Sequence, residues 1–138
     1  MQIIDATNTR FGRAASQIAK KLIQGEEIHI INAENFVLVG DPKVIVERYI
    51  TKRGLKNKAN PEKSPKWSKV PHMLVKRMVR GMLPIKAARG RAALARLRVF
   101  TGNPNNASAN LKLEKAEFDG VSKHITINDL CRMMGYSG

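Results

Sequence analysis

An α/β architecture with a mainly parallel sheet is predicted for this 138-residue chain by three features of its N-terminal half. Strand-like and helix-like segments alternate, the turns between them are short, and one strand is almost wholly apolar, as in sheets covered by helices on both faces. The length suits a single domain over residues 1–138, since about 100–200 residues per domain is the usual range. A chain of this size buries roughly two-thirds of the surface that its unfolded form exposes, so it needs neither disulfide nor metal to fold.

Gln2-Ile3-Ile4-Asp5 reads as a short strand, followed by a polar turn at Thr7-Asn8-Thr9. From Gly12 to Ile23 the apolar residues Ala15, Ile18, Ala19 and Leu22 recur at helical spacing, with Arg13, Gln17 and Lys20 opposite and Gly25 as a stop. Ile28-His29-Ile30-Ile31-Asn32 is rich in β-branched residues and Phe36-Val37-Leu38-Val39 is apolar throughout, so both read as strands. Asp41-Pro42 opens a second helix, in which aspartate accepts from orphan amides and proline at the first position loses no bond. Ile45, Val46, Tyr49 and Ile50 form its apolar face, and Gly54 ends it.

Regular periodicity then disappears from Gly54 to Val70, a stretch with Pro61, Pro65 and five lysines. Loops of this length are uncommon inside compact domains unless functional or disordered. Trp67 either anchors this arm to the protein's own surface or offers a stacking face to a base. Pro71 begins a helix that segregates Leu74, Val75, Met78, Val79 and Met82 from Lys76, Arg77 and Arg80, and Leu83-Pro84 ends it. Lys86 to Leu97 reads as an alanine-rich helix whose Leu94 and Leu97 face the core. Lys86, Arg89 and Arg96 share one flank of it, and Arg91 and Arg98 the other. Gly90 falls on the packing side, where a missing side chain permits close approach at about 1 kcal/mol of helix propensity. Val99-Phe100-Thr101 is a fourth strand, and a polar run follows Gly102-Asn103-Pro104. Thr126 and Asp129 fit a capping box for a last helix, with Ile125 and Leu130 as its staple and Gly135 as its end.

Composition narrows the function. Hydrophobic residues make up 43% of the chain, enough for a core and against disorder. The sole cysteine, Cys131, has no internal partner for a disulfide and reads as a small buried hydrophobe rather than a reactive thiol. No leader pattern stands at the start, and no apolar run approaches the ~20 residues of a membrane span. A reduced, intracellular, soluble protein is the expectation.

The 25 basic residues outnumber the 11 acidic ones, and the excess of +14 is local. Residues 52–98 hold fifteen of the basic residues and one acid, Glu62, while the charges of the remaining chain cancel. Lysines fill the arm and arginines the helices, which suits adaptable point charges on one and fixed bidentate contacts on the other. A merely solvated charged face normally intersperses acids, so a polyanion is the expected partner. RNA is preferred to DNA because there is no dimerising heptad, zinc-finger spacing or recognition helix with Asn or Gln among its arginines. A membrane partner is not expected, since the apolar face of the helix beginning at Pro71 lacks aromatics and is needed for the core.

Enzyme signatures are missing. The first turn, Ala6 to Gly12, is no GxGxxG, and no Walker A sequence occurs. His29, His72 and His124 lie far apart without ligand spacing, which leaves no metal site. Asp5 ends the first strand, where a turn role outweighs a catalytic one. The expectation is therefore no catalytic residue, no metal, no cofactor and no small-molecule substrate. A small α/β enzyme acting on RNA is the second reading.

Several segments carry a family resemblance. Ile4-Asp5-Ala6, Gly12-Arg13-Ala14-Ala15-Ser16, Asn32-Ala33-Glu34, the run from Pro71 through Arg80-Gly81-Met82-Leu83-Pro84, Arg89-Gly90-Arg91, and Arg96 to Pro104 resemble the large-subunit ribosomal protein L13 family. The chain lacks the extra residues of the bacterial branch before the Asn-Ala-Glu turn, so it is similar to the archaeal and eukaryotic branch. Phe11 stands where the family usually has leucine, and Asn103 where an apolar residue is commoner. The resemblance implies a three-layer α/β/α fold with a four-stranded parallel sheet and a structural role in the cytoplasmic large ribosomal subunit, without catalysis. It also implies contacts to large-subunit ribosomal RNA and to neighbouring ribosomal proteins. Together with the charge map, it makes Arg53, Lys56, Lys58, Lys63, Lys66, Lys69, Lys76, Arg77, Arg80, Lys86, Arg89, Arg91, Arg96 and Arg98 the expected RNA contacts.

Overall fold

The computed structural model describes residues 1–113 and 115–137. Strand β1 (Gln2–Asp5) leads through the polar turn into helix α1 (Phe11–Ile23), then β2 (Ile28–Ile31), a 3-10 turn (Ala33–Asn35) and β3 (Val37–Val39). Helix α2 (Pro42–Gly54), the arm with its 3-10 turn (Pro61–Lys63), and helices α3 (Pro71–Arg80) and α4 (Ala88–Ala95) follow. Strands β4 (Leu97–Val99) and β5 (His124–Thr126) and helix α5 (Ile127–Met133) complete the order.

The main sheet is parallel, in the order β1-β2-β4, with Gln2 opposite Ile28 and Ile28 opposite Leu97. It has three strands rather than the expected four. Asn32 adopts a left-handed conformation (φ 55°), and the 3-10 turn after it redirects the chain before β3 begins. β3 is thereby turned out of the main sheet and meets α1's entry in a single parallel bridge, Arg10 with Val37. It pairs instead with β5, antiparallel, with Val37 opposite Thr126.

The fourth strand also begins two residues earlier than its apolar run suggested. Leu97 is fully buried between the sheet and the helices, and alternation through exposed Arg98 to half-buried Val99 fits a strand of period two. Consequently α4 is shorter than predicted. Lys86 lies in the turn before it, Arg96 caps its end and Arg98 belongs to β4. Helix α3 likewise stops at Arg80, with Gly81 as its cap, which leaves Met82 exposed rather than on the apolar face.

The core is one buried cluster running from Ile4 to Cys131. α1 contributes Phe11, Ala14, Ala15, Ile18, Ala19 and Leu22, the stripe its spacing dictates. α3 adds Leu74, Val75 and Val79, and α5 adds Ile127, Leu130 and Cys131. Each fully buried Ile, Leu or Val contributes about 1.5–3 kcal/mol of transfer free energy. Phe11 meets Phe36 edge-on at 5.3 Å, which gives the aromatic at position 11 a specific packing partner. Both N-caps form, Asp41 Oδ1 accepting from the Lys43 amide at 3.0 Å and Thr126 Oγ1 from the Asp129 amide at 3.2 Å. The reciprocal Asp129 half of the expected capping box is absent among the described residues.

The same frame sets the behaviour of two titratable groups. Asp5 Oδ1 accepts from the Thr7 amide (2.9 Å), the Thr7 hydroxyl (2.8 Å) and Asn32 Nδ2 (3.1 Å), tying the turn after β1 to the end of β2. Partial burial pushes its pKa up, but these hydrogen bonds outweigh that and hold it below the ordinary 3.8. Because the folded-state value is depressed, the carboxylate stabilises the fold above its unfolded value and the gain is lost as pH falls through the folded one. Asp5→Ala should therefore cost about 1 kcal/mol at neutral pH, with the difference from the parent shrinking below about pH 4; urea midpoints across pH check it. Cys131 is fully buried, and burial pushes its thiol up to about 11. The native protein should leave an aromatic disulfide reagent unconsumed at neutral pH and titrate one thiol once denatured.

Candidate nucleic-acid interface

The arm is pinned to the helices at its C-terminal end. Its middle is closed by local bonds, with the Asn57 amide donating to Ser64 Oγ at 2.8 Å and the Asn60 amide to Asn57 Oδ1 at 3.2 Å. Beyond that knot, Arg77 Nη1 donates to the Lys66 carbonyl at 2.7 Å and Arg53 Nη1 to the Trp67 carbonyl at 2.5 Å. The Trp67 ring stands edge-on to Tyr49 with centroids 6.0 Å apart. Arg77 Cζ lies 4.2 Å and Lys52 Nζ 4.6 Å from its centroid, both within cation–π range. Trp67 thus packs on the protein's own surface, and α2 and α3 hold the arm between them. Tyr49, Lys52 and Arg53 reach it because positions three and four apart share a helix face. Lys52 and Tyr49 were not among the expected contacts. The three-and-four spacing was visible in sequence, but the approach of Trp67 was not.

The fourteen expected contacts divide into two groups. Arg53, Lys69, Lys76, Arg77, Arg91 and Arg96 each donate to a backbone carbonyl. Lys76 Nζ reaches Leu97 O at 3.2 Å, Arg91 Nη1 reaches Lys86 O at 3.1 Å, and Arg96 Nη1 bonds Leu22 O, joining the end of α4 to the end of α1. Burial, and next the Arg98 charge, hold Lys76 below the ordinary lysine pKa. These cations are committed to the fold, although a guanidinium that spends one N–H keeps others for a phosphate.

Lys56, Lys58, Lys63, Lys66, Arg80, Lys86, Arg89 and Arg98 are exposed, and their side chains form no hydrogen bond or ion pair among the described residues. The ion pairs of the described residues join Arg10 to Asp119, Lys21 to Glu26 and Lys112 to Glu117, all outside residues 52–98. The basic segment therefore presents a field that the acids among the described residues do not neutralise. The expected common flank of Lys86, Arg89 and Arg96 is not what forms. Arg96 turns inward to α1, while Arg98 stands on β4 opposite His29 of β2.

The histidines have local structural partners: His29 with Glu27, His72 with Thr101 and His124 with the Ser122 carbonyl. Asp5 serves the turn described above. This arrangement positions cations on a firm scaffold, which suits backbone recognition of a polyanion.

The sequence pattern of the family described as Ribosomal protein L13 matches residues 1–106. A large ribosomal subunit protein uL13 from Methanocaldococcus jannaschii is 38% identical over 136 residues, covering 98% of this chain and 98% of the relative. One from Archaeoglobus fulgidus is 40% identical over 141 residues, covering 99% and 88%, and one from Aeropyrum pernix is 39% identical over 140 residues, covering 99% and 90%.

Proposed function

The chain belongs to the ribosomal protein L13 family, and from that premise we propose that residues 52–98 are the part of a single domain that faces large-subunit ribosomal RNA. The protein is a structural constituent of the large ribosomal subunit, not an enzyme. Exposed Arg80, Lys86, Arg89 and Arg98 meet phosphates directly on the helical scaffold, and Lys56, Lys58, Lys63 and Lys66 follow the RNA backbone from the arm. Arg53, Lys69, Lys76, Arg77, Arg91 and Arg96 hold the scaffold and lend their remaining donors. Neighbouring ribosomal proteins are the other class of partner in this reading.

The observation that carries this reading is the charge map: fifteen cations against Glu62 in one segment, with the ion pairs of the described residues all elsewhere. Density-gradient sedimentation of cell lysate tests the location. The protein should travel with the large subunit, at low magnesium as at high. Recovery in the soluble fraction alone, under both conditions, would sink the proposal.

A further inference from the structure

Trp67 is not wholly consumed by its role as an anchor. It is half-buried, and it lines an open groove of about 580 Å³ between the arm and the turn that follows α3. The groove's floor is apolar, made by half-buried Pro84 and Ile85 beside Trp67, and its rim is cationic, made by exposed Arg80 and Lys86, with Arg77 packed on the Trp67 ring.

Phosphate contact alone needs no apolar concavity. A charged helix face meets a duplex backbone without one, and a paired base is stacked inside its helix, out of reach of such a floor. An aromatic wall beside aliphatic side chains, with cations at the mouth, matches one piece of RNA: a nucleotide that has left its stack. Its base lies against the apolar floor and the part of Trp67 that Arg77 and Lys52 leave facing the groove, and its flanking phosphates meet Arg80 and Lys86. Arg77 is already fixed at 4.2 Å from the ring and bonded to the Lys66 carbonyl, so the wall is preformed and little side-chain entropy remains to be lost.

Building on the RNA-binding reading, we infer that this groove receives a single unpaired nucleotide of the RNA. The groove selects a bulge or loop where the surrounding cations select only charge.

The chain has one tryptophan, so its fluorescence reports this groove directly. Three RNA hairpins serve as probes for the full chain: fully paired, the same with one bulged adenosine, and the same with an abasic bulge. The adenosine bulge should bind roughly 5- to 100-fold tighter than the abasic one, with a change in Trp67 emission that the abasic RNA does not produce. Trp67→Leu keeps an apolar anchor for the arm and should abolish the preference between the two bulges. Taking that preference as a ratio removes any general weakening caused by a looser arm. Equal affinities for the two bulged RNAs overturn the inference and leave the RNA-binding reading intact, provided the paired hairpin still binds. A preference that survives Trp67→Leu overturns it as well. Failure of all three RNAs to bind overturns the inference together with the reading on which it rests.

Discussion

Gly90→Ala is expected to destabilise the protein by about 3 kcal/mol, at the upper end of what overpacking costs. Helix propensity alone has the opposite sign and favours alanine by about 1 kcal/mol. Gly90 is buried in α4, and a Cβ there would sit 2.0 Å from the Pro84 carbonyl oxygen, 2.3 Å from its carbon and 3.0 Å from the Ile85 amide nitrogen. These obstacles are backbone atoms, so no rotamer change relieves them. The same carbonyl accepts from the Ala87 amide at 3.0 Å, which fixes the turn in place. The helix must instead lift from the turn, taking buried Ala93 with it. Gly54→Ala at the end of α2, where a new Cβ meets nothing within 4 Å, should be neutral or slightly stabilising. Urea unfolding of the two variants separates the effects, and a Gly90→Ala midpoint equal to the parent's would refute close packing at this site.

The second large effect belongs to binding. Replacing Arg80, Lys86, Arg89 and Arg98 together with alanine should weaken RNA affinity by about 10²–10³ at moderate salt and reduce the log–log salt slope by roughly four. Stability should stay within about ±0.5 kcal/mol per site, because these exposed side chains make no bond to the described residues of the protein. Arg96→Ala reverses the pattern: it removes the bond to Leu22 O and shows mainly as a lower unfolding midpoint. Thermal melts run beside filter-binding assays distinguish the two. A quadruple variant with unchanged affinity would mean that the exposed cations do not face the RNA.

Much of this was legible in residue order because the signals are local. The 3.6-residue stripe of α1, the Asp41-Pro42 start of α2 and the Thr126–Asp129 cap are read within one or two helical turns. Gly90 was legible too, because a glycine among alanines gives up helix propensity that a close approach of two backbones can offset. What escaped the sequence was the pairing of short strands. β4 and β5 have three residues each, too few for alternation to fix a register, and which strand joins which is decided by tertiary contacts. The placement of β4 moved Arg98 off its helix, and so it rearranged the interface. Asn103 illustrates the same limit. It bonds both the Ala107 amide (2.9 Å) and the Ala107 carbonyl (2.8 Å), closing a loop that accounts for a polar residue before proline.

For the interface, the sequence showed where the charge lies but not how it divides. Every cation of residues 52–98 reads alike in a charge count. Only the fold separates Lys76, bonded to Leu97 O and partly desolvated, from exposed Arg80 one turn further along α3. Backbone carbonyls of β4, the arm, a turn and a helix end create that division, and no residue-type pattern marks where they will fall.

Whether residues 52–98 meet large-subunit ribosomal RNA through their charge is decided by the salt dependence of the affinity. If the segment neutralises about 6–10 phosphates, affinity falls by roughly 10³–10⁵ between 50 and 200 mM salt. An affinity that stays flat across that range would mean that the cations of this segment do not bind the RNA backbone.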